Sequence, residues 1–413
     1  MRFGGRFVVA GLLTVVSAAP LVAEDHPGLV GIAYQSFYGL NQAEQDLILA
    51  VRDPLLEARN VEVPLKAWFK GRLHAREGKN DKAVAAWEKG VKWLEKREFP
   101  ALPKAEWGEL PDATFEFLEP VRHEDMEGAD ARVVRWQVGE LKQYGVLVTP
   151  AGVDVRKEGT DAHPLILYLH GAAYGVPYHM LPWLGRIAAE GYVIVGPSLR
   201  GEDLFAGYYL PHDLPDYRSG GEIENLDGEV DDAVAAVEAA HKLPGVKGKG
   251  FAMLGHSFGA GVGLLACARH PDAVCAVSYD AWLVNPFRYY WDRMRRGANN
   301  WLSWAAFCNQ PVKDQLTGLM HRSIVHHADR LEGPLLLFIG GGYEGSVFHK
   351  SHADLIEGLK KHEVPYTYDV VPGGGHNFVL YTDSPQAKYA YKKHMEFLAK
   401  HWPPHKPENG DED

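Results

Sequence analysis

The sequence predicts an α/β chain: a mostly parallel, doubly wound sheet with helices on both faces, preceded by a small helical region. Three observations carry this. From residue 112 onward, short uninterrupted apolar runs alternate with helical segments, as strands of a parallel sheet buried on both faces do. Before that point apolar residues recur at helical spacing. The third is one apolar run, Phe251-Ala-Met-Leu254, that breaks into Gly255-His256-Ser257-Phe258-Gly259 and continues as a small-residue helix through Val262-Gly-Leu-Leu-Ala266.

The elements follow in order. Asn41 and Glu44 have the spacing of a capping box, and Leu47, Ile48, Val51 and Leu55 share the face of a helix that Pro54 kinks or ends. Ala67–Ala75 and Asp81–Leu94, joined by a turn at Gly78, resemble a single tetratricopeptide-type hairpin, with Val84, Trp87, Val91 and Leu94 on the inner face. One such copy makes no solenoid, so a helical cap is expected rather than a peptide-binding array. Ala131–Val138 and Gln143–Thr149 read as an antiparallel pair at a sheet edge. The apolar runs Leu165–Leu169, Tyr192–Val195, Phe251–Leu254, Val274–Val277, Leu335–Ile339 and Tyr366–Val371 read as the remaining strands, and Asp227–Ala240 as the helix leading into the third of them. Residues 202–225 and 281–325 fit neither period; rich in aromatics, they are expected to form lids or walls.

Composition narrows the class. The 413 residues allow one large domain and a small one, and 46% hydrophobic with 23% charged residues is ordinary for a globular chain. A net charge of −11 argues against a nucleic-acid or anionic-membrane partner. Residues 1–23 read as a signal peptide: Arg2 and Arg6, then an apolar run from Phe7 to Val16, then small residues at Ser17, Ala18, Ala19 and Ala23. The apolar run is short for a membrane span, so export without a remaining span is expected, a retained anchor being the alternative. The organisation is thus a signal peptide at 1–23, a helical region at 24–111, the α/β domain at 112–402 and a disordered acidic tail at 403–413. Three cysteines make no disulfide framework; Cys267 and Cys275 read as buried thiols, and Cys308 lies in a stretch without a clear period.

The Gly-x-Ser-x-Gly stretch is the pattern of a nucleophile elbow, in which glycines let a strand turn sharply into a helix and leave a serine exposed at the end of a sheet. Ser257 is the candidate nucleophile. A serine hydroxyl needs a base to take its proton, and His376, on the glycine loop of Val371-Pro-Gly-Gly-Gly-His-Asn-Phe378 after the last strand, is the candidate. A carboxylate must hold that imidazole. Glu344, in Gly340-Gly-Gly-Tyr-Glu-Gly-Ser-Val347, and Asp280, in Val277-Ser-Tyr-Asp-Ala-Trp282, both satisfy the chain order serine, acid, histidine. The backbone N–H groups of Phe258 and Ala172 are the candidate oxyanion donors, with the Tyr174 hydroxyl as alternative to Ala172. His170 reads as a buried structural histidine. His326, His327 and Asp329 are poorly arranged for a metal, since adjacent helical histidines point about 100° apart. No metal and no organic cofactor are expected.

Residues 112–400 resemble the α/β-hydrolase superfamily, specifically the catalytic domain of the prolyl-oligopeptidase and dienelactone-hydrolase group. The likeness is carried by Leu169-His-Gly, Pro197-Ser-Leu-Arg-Gly201, Gly255-His-Ser-Phe-Gly259, Arg322-Ser-Ile-Val-His326, Gly333–Gly340 and Gly375-His-Asn-Phe378. The resemblance implies an aspartate acid three residues before a valine, a register that falls on Glu344 before Val347. The Asp280-Ala-Trp282 stretch is also similar to platelet-activating-factor acetylhydrolases, whose acid lies at that strand end. Glu344 is favoured over Asp280. Family peptidases often carry an N-terminal β-propeller; here residues 24–111 stand in its place.

The expected function is an exported serine hydrolase that cleaves a small-molecule ester or a short peptide through an acyl-enzyme, with carboxylesterase favoured over peptidase. The alternative is a catalytically silent hydrolase-fold binding protein with the hairpin as its docking surface.

Overall fold

The computed structural model describes residues 58–96, 106–172, 174–206, 215–286, 288–289 and 318–405. The expected signal peptide and Asn41 helix, residues 207–214, Cys308, most of 281–325, and the part of the expected tail beyond residue 405 lie outside them. The chain divides into two compact units: residues 1–103 with 289–316, and residues 104–288 with 317–413.

In the first unit, α1 (Ala58–Arg76) and α2 (Asn80–Glu95) form an antiparallel hairpin around a turn at Lys79. Ala83, Trp87 and Trp68 are buried in it, and the Trp87 indole donates to the Trp68 carbonyl at 3.3 Å. Both helices run beyond the predicted ends; Phe69 and Leu73 remain exposed.

The second unit is built on a nine-stranded sheet in the order β1-β2-β3-β6-β4-β8-β9-β10-β11. Its strands are β1 (Glu116–Val121), β2 (Ala129–Val138), β3 (Leu141–Pro150), β4 (His163–Leu169), β6 (Val193–Ser198), β8 (Val246–His256), β9 (Ala273–Tyr279), β10 (Leu335–Gly340) and β11 (Tyr366–Val371). A separate two-residue pair joins β5 (Val176–Pro177) to β7 (Phe205–Ala206). β1, β2, β3 and β6 pair antiparallel, and every pairing from β6 to β11 is parallel. The expected α/β-hydrolase architecture is therefore present.

Burial explains why these segments are strands. Every residue of β4, β6 and β10 is buried, which only a strand covered on both faces requires. The helices α3 (Leu181–Ala189), α4 (Gly228–His241), α5 (Ser257–Arg269), α6 (Val347–Lys361) and α7 (Pro385–His401) alternate with the strands. The predicted edge pair is not the edge: β1 lies outside β2. Its Glu116, Glu119 and Pro120 broke the apolar pattern, as charges and proline do on an exposed edge strand.

Two side-chain ties hold the unit's ends. Arg200, after β6, forms a two-pronged pair with the fully buried Asp232 of α4, and its remaining nitrogen reaches Glu224. Beyond α7, the Trp402 indole donates to the Leu165 carbonyl and its own carbonyl accepts from the Tyr192 hydroxyl, both at 2.9 Å. The His405 N–H donates to the Gly191 carbonyl. Cys267 and Cys275 are buried free thiols. No helix among the described residues is long and apolar enough to cross a membrane.

Candidate active site

Five consecutive neighbours in the sheet, β4, β8, β9, β10 and β11, end on the same side. The segments that leave their carboxyl ends carry Ala172, Ser257, Asp280, Glu344 and His376, one from each strand. Connections reverse direction between β4 and β8, and such switch points open a crevice in a parallel sheet.

β8 passes into α5 with no intervening loop, and Ser257 is the first helical residue. Its φ of 51° lies in the left-handed region. The turn closes because Gly259 has no side chain: a Cβ there would lie 2.3 Å from the His170 carbonyl oxygen, to which the Gly259 N–H donates. The Trp282 N–H donates to the Ser257 carbonyl at 2.8 Å and ties the turn to the end of β9.

The Ser257 hydroxyl donates to His376 Nε2 at 2.7 Å. Burial pushes the His376 imidazole down to about 4, so it is neutral and able to accept a proton. Its other nitrogen, Nδ1, is buried and has no hydrogen-bond partner. Phe348 packs against the His376 ring at 4.6 Å, and Tyr343 stands edge-on to it at 6.2 Å.

The two carboxylates differ sharply. Glu344 is exposed. Asp280 is wholly buried, with φ 48°. Its Oδ1 accepts from the Gly340 N–H at 2.8 Å and from the Tyr343 hydroxyl, while Oδ2 is buried without a partner. Burial drives its carboxyl up to about 7 against the opposing pull of those two donors.

On the oxyanion side, Ala172 has φ 59°, and Phe258 is buried directly after Ser257. Tyr174 is 70% exposed. His170 is fully buried, with Nε2 3.0 Å from Glu202 Oε2; burial disfavours its charge, but Glu202 together with the Gly171 and Ala172 backbone outweighs this and raises its pKa. Ser257, Asp280 and Ala172 are three of the seven non-glycine residues with positive φ among those described, so strained backbone concentrates here.

Two further residues, neither marked by the sequence pattern, shape the site. His256, inside the glycine-flanked motif, donates from Nε2 to the His376 carbonyl at 3.0 Å; burial pushes its imidazole down to about 3. Its Nδ1 would lie 2.2 Å from a Cβ on residue 171, so only glycine fits in that loop. Tyr343 is the other. Its position beside Glu344 was visible, its bond to Asp280 was not.

Residues 183–404, more than half of the chain, match the prolyl oligopeptidase family, peptidase S9. The chain belongs to the prolyl oligopeptidase family. It is therefore a hydrolase of α/β-hydrolase fold. Among solved structures this family member is similar to acetyl xylan esterase 1 from Thermoanaerobacterium sp. JW/SL YS485, at 15% identity and TM-score 0.48, covering 71% of this chain and 88% of that one. An acylaminoacyl peptidase in complex with Z-Gly-Gly-Phe-chloromethyl ketone matches at 18% identity and TM-score 0.50, covering 68% and 43%. The Pyrococcus horikoshii acylaminoacyl peptidase matches at 18% and 0.48, covering 69% and 44%. This chain thus spans under half the length of both peptidase chains. No curated protein sequence matches it.

Among the described residues of this prolyl oligopeptidase family chain, one group has metal-ligating composition: Glu238, His241 and His270 bring one ligand atom each within 4.8 Å of one another. Its hydrogen bonds account for it without an ion. His270 Nδ1 accepts from the Asp272 N–H, which puts the ring proton on Nε2, where it is donated to Glu238 at 2.8 Å. A cavity of about 630 Å³ near β1 to β3, lined by Arg122, Asp130, Arg132, Asp154 and Arg156, includes none of the catalytic candidates.

Proposed function

We propose that this protein is an exported serine hydrolase that cleaves small esters in preference to peptides through an acyl-enzyme, with Ser257, His376 and Asp280 as its triad. The observation that carries the reading is the 2.7 Å bond from the Ser257 hydroxyl, on its left-handed turn, to His376 Nε2.

In the reaction, Ser257 Oγ attacks the substrate carbonyl carbon as its proton passes to His376 Nε2. The carbonyl oxygen becomes an oxyanion held by the N–H groups of Phe258 and Ala172. The intermediate collapses, the carbon–oxygen bond to the alcohol breaks, and the imidazolium returns its proton to the departing oxygen. Water then repeats the sequence on the acyl-enzyme and releases the acid and free Ser257.

Asp280 is placed in the triad instead of Glu344 on three grounds. It is buried where Glu344 is exposed, it sits in strained backbone, and its unpartnered Oδ2 complements the unpartnered Nδ1–H of His376. The Tyr343 ring neighbours both residues. Such a carboxylate fixes the imidazole's tautomer and stabilises the imidazolium. The ester preference is supported by the part-buried Phe348 ring, 4.6 Å from His376, which suits an apolar acyl or alcohol group better than a charged peptide terminus.

The test is a panel of p-nitrophenyl acetate and butyrate, an acetylated sugar, and Ala- and Pro-nitroanilides, run with wild type and Ser257→Ala. Ester turnover that vanishes in the variant, with fluorophosphonate labelling lost alongside, is expected. Anilide cleavage at equal efficiency would make the protein a peptidase, and an unlabelled, inactive wild type would make it a binding protein.

A further inference from the structure

We infer that Tyr343 is a positioning residue of this hydrolase: its hydroxyl, together with the Gly340 N–H, clamps one oxygen of Asp280 so that the other is presented to His376. The inference rests on the triad read above and assigns a role to the loop after β10.

The geometry is specific. Both donors converge on Oδ1 of Asp280, one from the last residue of β10 and one from the short 3-10 turn that follows it, Gly341–Tyr343. Oδ2 is left without a partner in a buried position. A carboxylate with a free torsion about its Cα–Cβ and Cβ–Cγ bonds would otherwise share its two oxygens among all donors in reach. The loop itself is pinned: the Gly342 N–H donates to the Gly374 carbonyl at 2.9 Å, two residues before His376, and His349 Nε2 bonds the Gly340 carbonyl. Tyr343 thus lies between the acid and the histidine loop. The residue that follows it, Glu344, turns outward to solvent, so this loop supplies a hydroxyl to the acid.

Tyr343 also opposes the cost of burying a charge on Asp280. The other titratable group that feels Asp280 is Tyr368 from β11, whose ionisation is disfavoured first by burial and then by Asp280 and Glu344; His256 and His352 flank His376 and are neutral through burial. None of these donates to Asp280 Oδ1. Removing the Tyr343 hydroxyl leaves the carboxylate with one fewer donor, and its ionised form is harder to reach.

Tyr343→Phe tests this, because the ring stays and only the hydroxyl goes. The expected result on p-nitrophenyl butyrate is a kcat lowered about tenfold, KM within about twofold, and an ascending limb of the kcat profile displaced to higher pH. Asp280→Asn and the double variant complete the cycle: in the Asn background the Phe substitution should cost little more, since Tyr343 acts through the carboxylate. A thermal melt of each variant reports folding separately from kcat. An inactive Asp280→Asn beside a Tyr343→Phe enzyme with unchanged kcat and unmoved profile would overturn the inference while leaving the triad standing. A near wild-type Asp280→Asn would overturn the triad reading and this inference with it. Fully additive losses would overturn the inference too, showing that Tyr343 works by another route.

Discussion

Left-handed backbone at a serine, an alanine and an aspartate costs about 1–3 kcal/mol per residue, and such positions persist only where the surroundings dictate them. Asp280 shows what that strain accompanies. With its carboxyl raised to about 7 by burial, Asp280 sheds its proton in the neutral range, where His376, lowered to about 4 by burial, is already neutral. The sign follows: below that range Asp280 is protonated and cannot stabilise an imidazolium, above it the carboxylate is ready. We therefore expect kcat/KM to climb with pH across about 6 to 8 and level off above, instead of reaching its plateau near pH 5. Asp280→Asn should lower kcat by about 10⁴-fold, and Glu344→Gln should stay within about threefold of wild type, both measured on one ester. The meeting of Ser257 with His376 was readable in advance, because glycine spacing and place after the last strand restrict where such residues can stand. The choice of acid proposed above was not. Spacing admits a carboxylate after either β9 or β10, and what separates them, burial and φ, arises only when the strands are packed side by side.

The long apolar strands and the α4 helix were legible for a simple reason: a strand buried on both faces has no polar position to obscure it. The boundaries were not, because β8 continues outward through Lys247, Gly248 and Lys249, which are exposed. β1 escaped notice altogether, since an edge strand is free to carry charge. The Arg200–Asp232 tie was equally hidden, although Arg200 stands in a motif and Asp232 in a predicted helix; nothing in their separation marks them as partners. It joins the turn after β6 to the helix that feeds the elbow strand. Asp232→Ala leaves the buried Arg200 guanidinium with only the part-exposed Glu224 as its acidic partner and should lower unfolding free energy by about 3 kcal/mol in urea titration. Replacing both residues by apolar ones of similar volume should recover most of that loss, which a second titration would read.

At the scale of the whole molecule, the doubly wound sheet was implied by the alternation of runs, while the antiparallel flank of β1 to β3 followed only in part, its outermost strand being absent from the pattern. The helical hairpin was visible because Val84, Trp87 and Val91 hold the helical period; its ends were set by turn hydrogen bonds that no period reports. The indole of Trp402 is fastened to Leu165, near the beginning of β4, and His405 to Gly191, just ahead of β6. The chain therefore leaves the sheet at the amino ends of its parallel strands, whereas Ser257 and His376 occupy the carboxyl ends. A tether grafted beyond His405 would fix the protein to a bead or electrode by the rim opposite its chemistry, with the reactive rim of the sheet turned outward to the flow.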